Sequence, residues 1–516
     1  MVNKKPKKVW MTAAEIPLNT IFMMSEPCRY FLQDWSKKGF GDKLTEYFSY
    51  FVGDFTQMKF IRSEFDANAE WLSKKMLNKP EWTLKVIDDL EKLSRLFMRE
   101  SSKILHAPLP SLTDRQLIKL FKNCLLYHRQ QHGIGASISW QADADKERVT
   151  RGIWQKIETH LRQTGSSHEL ADIFGILTTP EQESLAALEE KDFLRLAILI
   201  KSKPKALRIF KTNEASEIMK KLHQADESLY NKINKHYRNY CWLTYQYKGP
   251  AASLEQFLGR WQTLVKGQSD PKSLLKKFIS ERKQVLNQQK LLNKQIKLTP
   301  YLKKIVRMGQ RLVYIKDFRK YALYHGMYCY EPLFIEIGRR LGLTISQIWA
   351  MNTWEIPDAL LKRQFNVHEL NERQKLAVAY TDAKKYVVYT GQTARNFLTK
   401  VVFEKQFQQM IGELHGTPAC SGKAVGTVKI VNLPTDMKKM KQGDIMVAHN
   451  TNPNLVPAMK KAAALVSEAG GLTCHTAIVA RELRIPSVVG VPGADKILHD
   501  GDRVKVDATH GIIKKI

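Results

Sequence analysis

The chain has 516 residues, of which 43% are hydrophobic and 26% charged, a balance that excludes a disordered protein and implies roughly two to four folded domains. No run of about 18 uncharged apolar residues occurs, so no membrane-spanning segment is expected. The net charge of +31 favours nucleic acid or phosphate-bearing ligands, but lysine-rich usage spread over the whole chain explains it equally well.

Taken in chain order, the amino terminus "MVNKKPKKVW" is basic, and Glu15 and Pro17 interrupt the apolar stretch that follows it. A secretory signal is therefore not expected. The six cysteines are scattered singly, without a CxxC pair, which argues against a zinc site or a disulfide framework and fits a cytoplasmic protein. Residues 1–365 read as a mainly helical, basic region. "PEWTLKVIDDLEKLSRLFMRESSKIL" begins at Pro80 with an acidic first turn. "LTTPEQESLAALEEKDFLRLAILIKS" predicts a helix pair initiated by Pro180. Leu275, Phe278, Ile279, Val285, Leu286, Leu292 and Ile296 recur at helical spacing until Pro300. A further helix ends at Gly342 as its carboxyl-terminal cap. Within this region His236 belongs to an aromatic and basic cluster, "HYRNYCWLTYQYKGP", suited to stacking but explained better as the packing of a helix end. Arg307, Arg311 and Arg319 are candidates to grip phosphate oxygens from one helix face, and a solvated face accounts for them nearly as well.

The texture changes near Phe365. Residues 366–411 read as a linker or hinge made of a hairpin, "KLAVAYTDAKKYVVYTG", and a helix from Ala394 to Glu413. Residues 412–516 read as a compact α/β domain, with strands in "GKAVGTVKIV", "GDIMVAH", "AALVSE", "IPSVVGV" and "DRVKVDA" and one clear helix from Cys474 to Leu483. From Ile411 onward there are 14 Lys+Arg against 9 Asp+Glu, so most of the positive charge precedes this domain.

The most informative stretch is "SEAGGLTCHTAIVARELRIPSVVG". It places His475 in the first turn of a helix, where unpaired N–H groups and the helix dipole favour an attached anion. Gly470 and Gly471 allow close approach of another molecule, and Thr473 can cap the helix. A neutral imidazole is a competent nucleophile toward phosphorus. On these residues alone a capping or surface histidine remains open. A metal ligand is disfavoured, because His475, His499 and His510 lack ligand spacing and Cys474 points about 100° away from its neighbour.

"GGLTCHTAIVARELRIPSVVG" closely resembles the phosphohistidine motif of the phosphoenolpyruvate (PEP)-utilising enzymes, which include PEP synthase, pyruvate phosphate dikinase and the rifampin phosphotransferases. "GTPACSGKAVGTVKIV" and "GDIMVAHNTNPNLVPAMKKAAALVSEAGG" extend the resemblance to about 100 residues. It implies a swivelling carboxyl-terminal domain in which His475 is phosphorylated. Gly470, Gly471, Cys474, Arg481 and Thr451 would support it, the last from the Thr-x-Pro loop. Thr473 falls where family members can carry a regulatory threonine. The fold class expected is α+β and multidomain. No ATP-grasp pattern and no (β/α)8 barrel is evident, so no cofactor or metal is expected on this chain. The donor would be ATP with Mg2+, or PEP, acting through a separate ATP-grasp-type subunit. By likeness to the middle helical region of these enzymes, residues 1–365 would bind a small-molecule acceptor. The rival expectation is a non-catalytic regulatory or nucleic-acid-binding module, for which no motif speaks.

Overall fold

The structure, a computed structural model, describes residues 8–17, 20–25, 39–41, 43–143, 146–166, 170–382, 385–404, 413–451, 455–468, 470–472 and 474–516. Its first sheet joins the two ends of the helical region. Strands β1 (Val9–Pro17), β2 (Glu46–Val52) and β3 (Phe55–Ile61) pair antiparallel in the order β2-β3-β1. The hairpin expected from sequence forms as β4 (Leu376–Asp382) and β5 (Tyr386–Thr390). It adds to the edge of β2, with Tyr47 opposite Thr381. The two-residue strand β6 (Val402–Phe403) runs parallel to β1 and completes a six-stranded sheet.

Two expectations are corrected here. Within the mainly helical region, the described part of the first 61 residues also contributes three strands, because "EYFSYFV" pairs with a strand far along the chain and "FTQMKFI" with its two neighbours β1 and β2. The hairpin placed in the linker is fixed by the same sheet, and the helix after it is Gly391–Leu398, much shorter than expected. The connection to the carboxyl-terminal domain is thereby narrowed to 405–412, which lies outside the described residues.

The helical region is organised by α1 (Pro80–Leu105), α2 (Asp114–Ala136), α3 (Arg148–Gln163) and α4 (Pro300–Leu341). Helix α4 has 42 residues and so runs for about 63 Å. Thr299 Oγ1 accepts from the Leu302 N–H at its start, at 3.3 Å, and Gly342 ends it at φ 67°. Helix α1 lies along it, tied by ion pairs from Lys304 to Glu81 and from Arg311 to Asp88. Pro180 starts no helix. Ser184 caps Leu185–Ser202 instead, its Oγ accepting from the Ala187 N–H at 3.1 Å.

The carboxyl-terminal domain is one eight-stranded sheet, formed by β7 (Glu413–His415), β8 (Thr417–Cys420), β9 (Lys423–Ile430), β10 (Ile445–Ala448), β11 (Ala464–Ser467), β12 (Ser487–Val489), β13 (Arg503–Asp507) and β14 (Ile512–Lys515). Strands β9 to β12 are parallel neighbours. β10, β11 and β12 are buried at every position, as parallel strands covered on both faces should be. Helix α5 (His475–Leu483) links β11 to β12. The domain rests on the helical region through shared apolar packing: Ala419, Leu472, Ala477 and Val489 enter one buried cluster with Ile153, Phe174 and Phe318.

Candidate functional site

The end of β11 and the start of α5 build the site. Gly470 adopts φ +102°, a conformation that other residues rarely take, and turns the chain toward α5. The helix cap is Cys474, whose Sγ accepts from the Ala477 N–H at 3.4 Å. Thr473, expected in that role, lies outside the described residues. His475 is then the first residue of α5, where unpaired N–H groups face outward. Arg481, one face further along, donates to the carbonyls of Ala477, at 3.0 Å, and of Leu472. It staples the loop to the helix, which is a supporting role.

Thr451, at the end of β10, sits 2.8 Å from His475 Nδ1 and 2.8 Å from the Thr476 hydroxyl. A proton on Nδ1 donated to Thr451, which donates on to Thr476, satisfies this chain. That tautomer leaves the lone pair on Nε2, the nitrogen that can attack phosphorus. Burial, and then the Lys320 ammonium, push the pKa of His475 down to about 3, so the ring is a neutral nucleophile at any physiological pH.

His475 is half-buried. It lies within reach of the Lys320 charge from the helical region, and further charged groups line the same interface. Lys320 and Asp317 come from α4 and Glu147 from the residue before α3, while Glu482 comes from the mobile side. Among the described residues, none of these four side chains has an ion-pair partner within 4 Å. Burial pushes the carboxyls of Asp317 to about 6 and of Glu147 to about 7; Asp143 adds to the shift at Glu147. Glu482 also rises to about 7, through burial and then the facing Asp317. Burial lowers Lys320, and neighbouring Arg319 adds to this. Unpaired buried charge is costly. Of the four, Glu147 is buried, Asp317 and Lys320 are half-buried and Glu482 is exposed, and it is the Lys320 charge that acts on His475.

The acceptor-side candidates are not all brought to this space. Arg319 is buried beside Lys320, its stem packed on Gly135 and its carbonyl accepting from Gln131 Nε2 at 2.7 Å. Arg311 is held by Asp88 at 2.7 Å and Glu91 at 2.8 Å. Exposed Arg307 lines a cleft of about 610 Å3 with Arg311, Lys303 and Gln310. His236 is a core residue: its Nε2 lies 3.2 Å from Glu189, and Tyr240, Phe257 and Trp261 pack around it. The packing explanation of that aromatic segment therefore fits better than ligand stacking.

Sequence reasoning missed Glu147, Asp317 and Lys320, which carry no motif. It also missed a cluster of His449, Glu468 and Asp495, whose ligand-type atoms lie within 4.8 Å of one another. Glu15 of β1 approaches His449 Nε2 from across the interface, at 3.7 Å. Burial opposes the charge on His449, but Glu468, Glu15 and Asp495 outweigh it and raise its pKa. Four separate elements supply these residues, so no spacing could have revealed them.

This architecture is a parallel-cored sheet with a glycine turn leading into a histidine-headed helix. Residues 440–511 match the family described as "PEP-utilising enzyme, mobile domain". Similar proteins include a probable phosphoenolpyruvate synthase of Pyrococcus abyssi, 42% identical over 136 residues, which are 26% of this chain and 16% of that protein. One of Archaeoglobus fulgidus is 49% identical over 100 residues, 19% of this chain and 13% of that protein. The phosphoenolpyruvate synthase of Pseudomonas aeruginosa is 38% identical over 137 residues, 25% of this chain and 17% of that protein. The chain thus spans a small fraction of the length of these curated relatives. Among solved structures, Thermococcus kodakaraensis aconitase X is 21% identical with a TM-score of 0.16, over 20% of this chain and 98% of that chain. No helix among the described residues is long and apolar enough to cross a membrane.

Proposed function

We propose that the protein is a phosphotransferase component in which His475 Nε2 carries a phosphoryl group to an acceptor held against the helical region. One observation carries this reading: a neutral histidine, its Nδ1 engaged by Thr451, faces unpaired Lys320 across a docked domain interface. Phosphoryl transfer needs mainly positioning and positive charge. Thr451 supplies the first, and Lys320 with the first turn of α5 supplies the second. In this docked arrangement His475 is directed at the acceptor side, so loading requires the carboxyl-terminal domain to swing away from the helical region. The donor step would use ATP with Mg2+, or PEP, on a separate nucleotide-binding unit. The segment shared with the relatives is only 13–17% of their length, which leaves ample room for such a unit outside it.

The test is labelling of the full chain with [γ-32P]ATP or labelled PEP in extract from the source cells. Base-stable, acid-labile phosphate on the wild type, and none on His475→Ala, supports the reading. Equal labelling of both chains, or none under either donor, overturns it. The basic surface would still bind nucleic acid in a salt-dependent manner under the rival reading, with no effect of His475→Ala.

A further inference from the structure

His449, Glu468 and Asp495 meet at the carboxyl ends of the parallel strands, where open α/β sheets generally receive their ligands. His449 directly follows β10 and Glu468 directly follows β11, while Asp495 comes from the short helix Ala494–Ile497 beyond β12. His449 Nδ1 lies 3.6 Å from Glu468 Oε2 and 3.7 Å from Asp495 Oδ2. These separations are too long for hydrogen bonds. They suit donor atoms around a shared cation, since ligands about 2.1 Å from a tetrahedral metal stand about 3.4 Å apart. A second observation points the same way. His449 Nδ1, Glu468 Oε2 and Asp495 Oδ1 are buried, and among the described residues none of the three atoms has a hydrogen-bond partner. Buried polar atoms seldom stay unpartnered. The far ring nitrogen supplies another sign. Glu15 of β1 approaches His449 Nε2 at 3.7 Å, and Gln57 Nε2 holds Glu15 in place by donating to its Oε1 at 2.7 Å. A carboxylate behind a metal-bound imidazole is the usual outer partner of such a site, because it fixes the tautomer that leaves the other nitrogen free to ligate.

We propose that His449, Glu468 and Asp495 hold a divalent transition-metal cation, Zn2+ or Mn2+, and that Glu15 completes the site from across the domain interface. The surrounding charge favours a cation. Glu15, Glu468 and Asp495 all act on the one imidazole. The positive groups nearby are Lys496, exposed at the rim, and Lys59, which donates to Thr12 Oγ1. A proton on His449 offsets one of the three negative charges, but it cannot bridge donors this far apart. One imidazole nitrogen with two carboxylates suits Zn2+ or Mn2+ better than Mg2+, which prefers oxygen ligands alone. The site needs no phosphoryl chemistry, so it stands apart from the reading of His475. Its consequence is for docking. Glu15 reaches His449 only while the carboxyl-terminal domain rests on the helical region, so cation binding and docking strengthen one another by the same factor.

The full chain, stripped with EDTA, is titrated by calorimetry with Zn2+, Mn2+ and Mg2+, and Co2+ absorption reports the coordination geometry. Wild type is expected to bind one Zn2+ or Mn2+ per chain, and Mg2+ at least roughly 100-fold more weakly. Glu468→Gln, Asp495→Asn and His449→Gln should each lower the affinity by roughly 100-fold or more, because each removes a ligand atom. Glu15→Gln should lower it by roughly 10- to 100-fold, the range for an outer partner. Glu468→Gln removes a buried charge without changing shape, so it should fold at least as well as wild type without metal, which thermal melting checks. Zn2+ should move energy transfer between labels on Lys438 and Lys211 toward the docked value in wild type, and much less in Glu15→Gln. Wild type that binds neither Zn2+ nor Mn2+ overturns the proposal. So does binding that survives Glu468→Gln and His449→Gln at wild-type strength, which would mark surface histidines. Binding untouched by Glu15→Gln and without effect on energy transfer would overturn the link to docking.

Discussion

Gly471→Ala isolates the contact on which docking of the histidine turn depends. Gly470 needs its glycine for φ, but Gly471 does not hold a left-handed conformation, so alanine there leaves the mobile domain free to fold. What the methyl group meets is Glu147: Oε1 at 2.2 Å, Cδ at 2.4 Å and Cγ at 2.9 Å. Ordinary contact begins near 3.4 Å, so the side chain must retreat by more than an ångström. It is buried at a strained backbone position and has little room to do so. Overpacking of this kind costs about 1–3 kcal/mol, all of it borne by the docked state. The docking equilibrium should shift by roughly 5- to 150-fold toward the undocked form. Fluorescence energy transfer between labels on Lys438 and Lys211 would report this as a change in transfer efficiency. Glu147→Ala should restore docking in the Gly471→Ala background, because it removes the atoms that clash. A Gly471→Ala chain that docks like wild type, or a double variant whose effects merely add, would refute the steric argument.

Thr451→Val should slow phosphorylation of His475 by roughly tenfold or more while Thr451→Ser retains it, since a buried Nδ1–H without its acceptor costs about 1–3 kcal/mol; labelling rates decide this. Docking should weaken as pH rises above the ordinary histidine value of about 6.5, because Glu15 of β1 approaches His449 across the interface and adds to the raised pKa that Glu468 and Asp495 of its own domain already give it. That contribution is complete at lower pH and is lost as pH climbs through the raised value. His449→Gln should flatten the dependence in the same energy-transfer assay. Arg311→Ala should lower stability by about 1–2 kcal/mol, read from the urea midpoint, and leave labelling of His475 unchanged, because Asp88 and Glu91 already occupy its guanidinium. Lys320→Ala should slow transfer out of phosphorylated His475 more than loading into it, because Lys320 meets the phosphoryl group only in the docked state.

The sequence by itself determined the local chemistry of the histidine domain. A glycine turn, a helix start expected at Cys474 and five short apolar strands are local signals, and each appears within a residue or two of where its pattern places it. The long helices were legible for the same reason: Pro300 and Gly342 bound α4 through backbone rules that need no tertiary partner. Pairing across long separations was not legible. "EYFSYFV" becomes a central strand only because "LAVAYTD" lies beside it, and nothing in either segment names the other. The cap moved from Thr473 to Cys474 because a one-residue shift of a helix start depends on the exit angle of the glycine turn. Among the arginines, residue type alone could not separate Arg311, neutralised by α1, from a free phosphate ligand. Above all, only the tertiary structure decided what His475 faces. Lys320 of α4 and Glu147, the residue before α3, share no motif, and the folding of the chain onto itself brings the first to the charge field of His475 and the second onto the glycine turn. A sequence encodes its periodicities and turns locally, but a site between domains exists only where two surfaces meet.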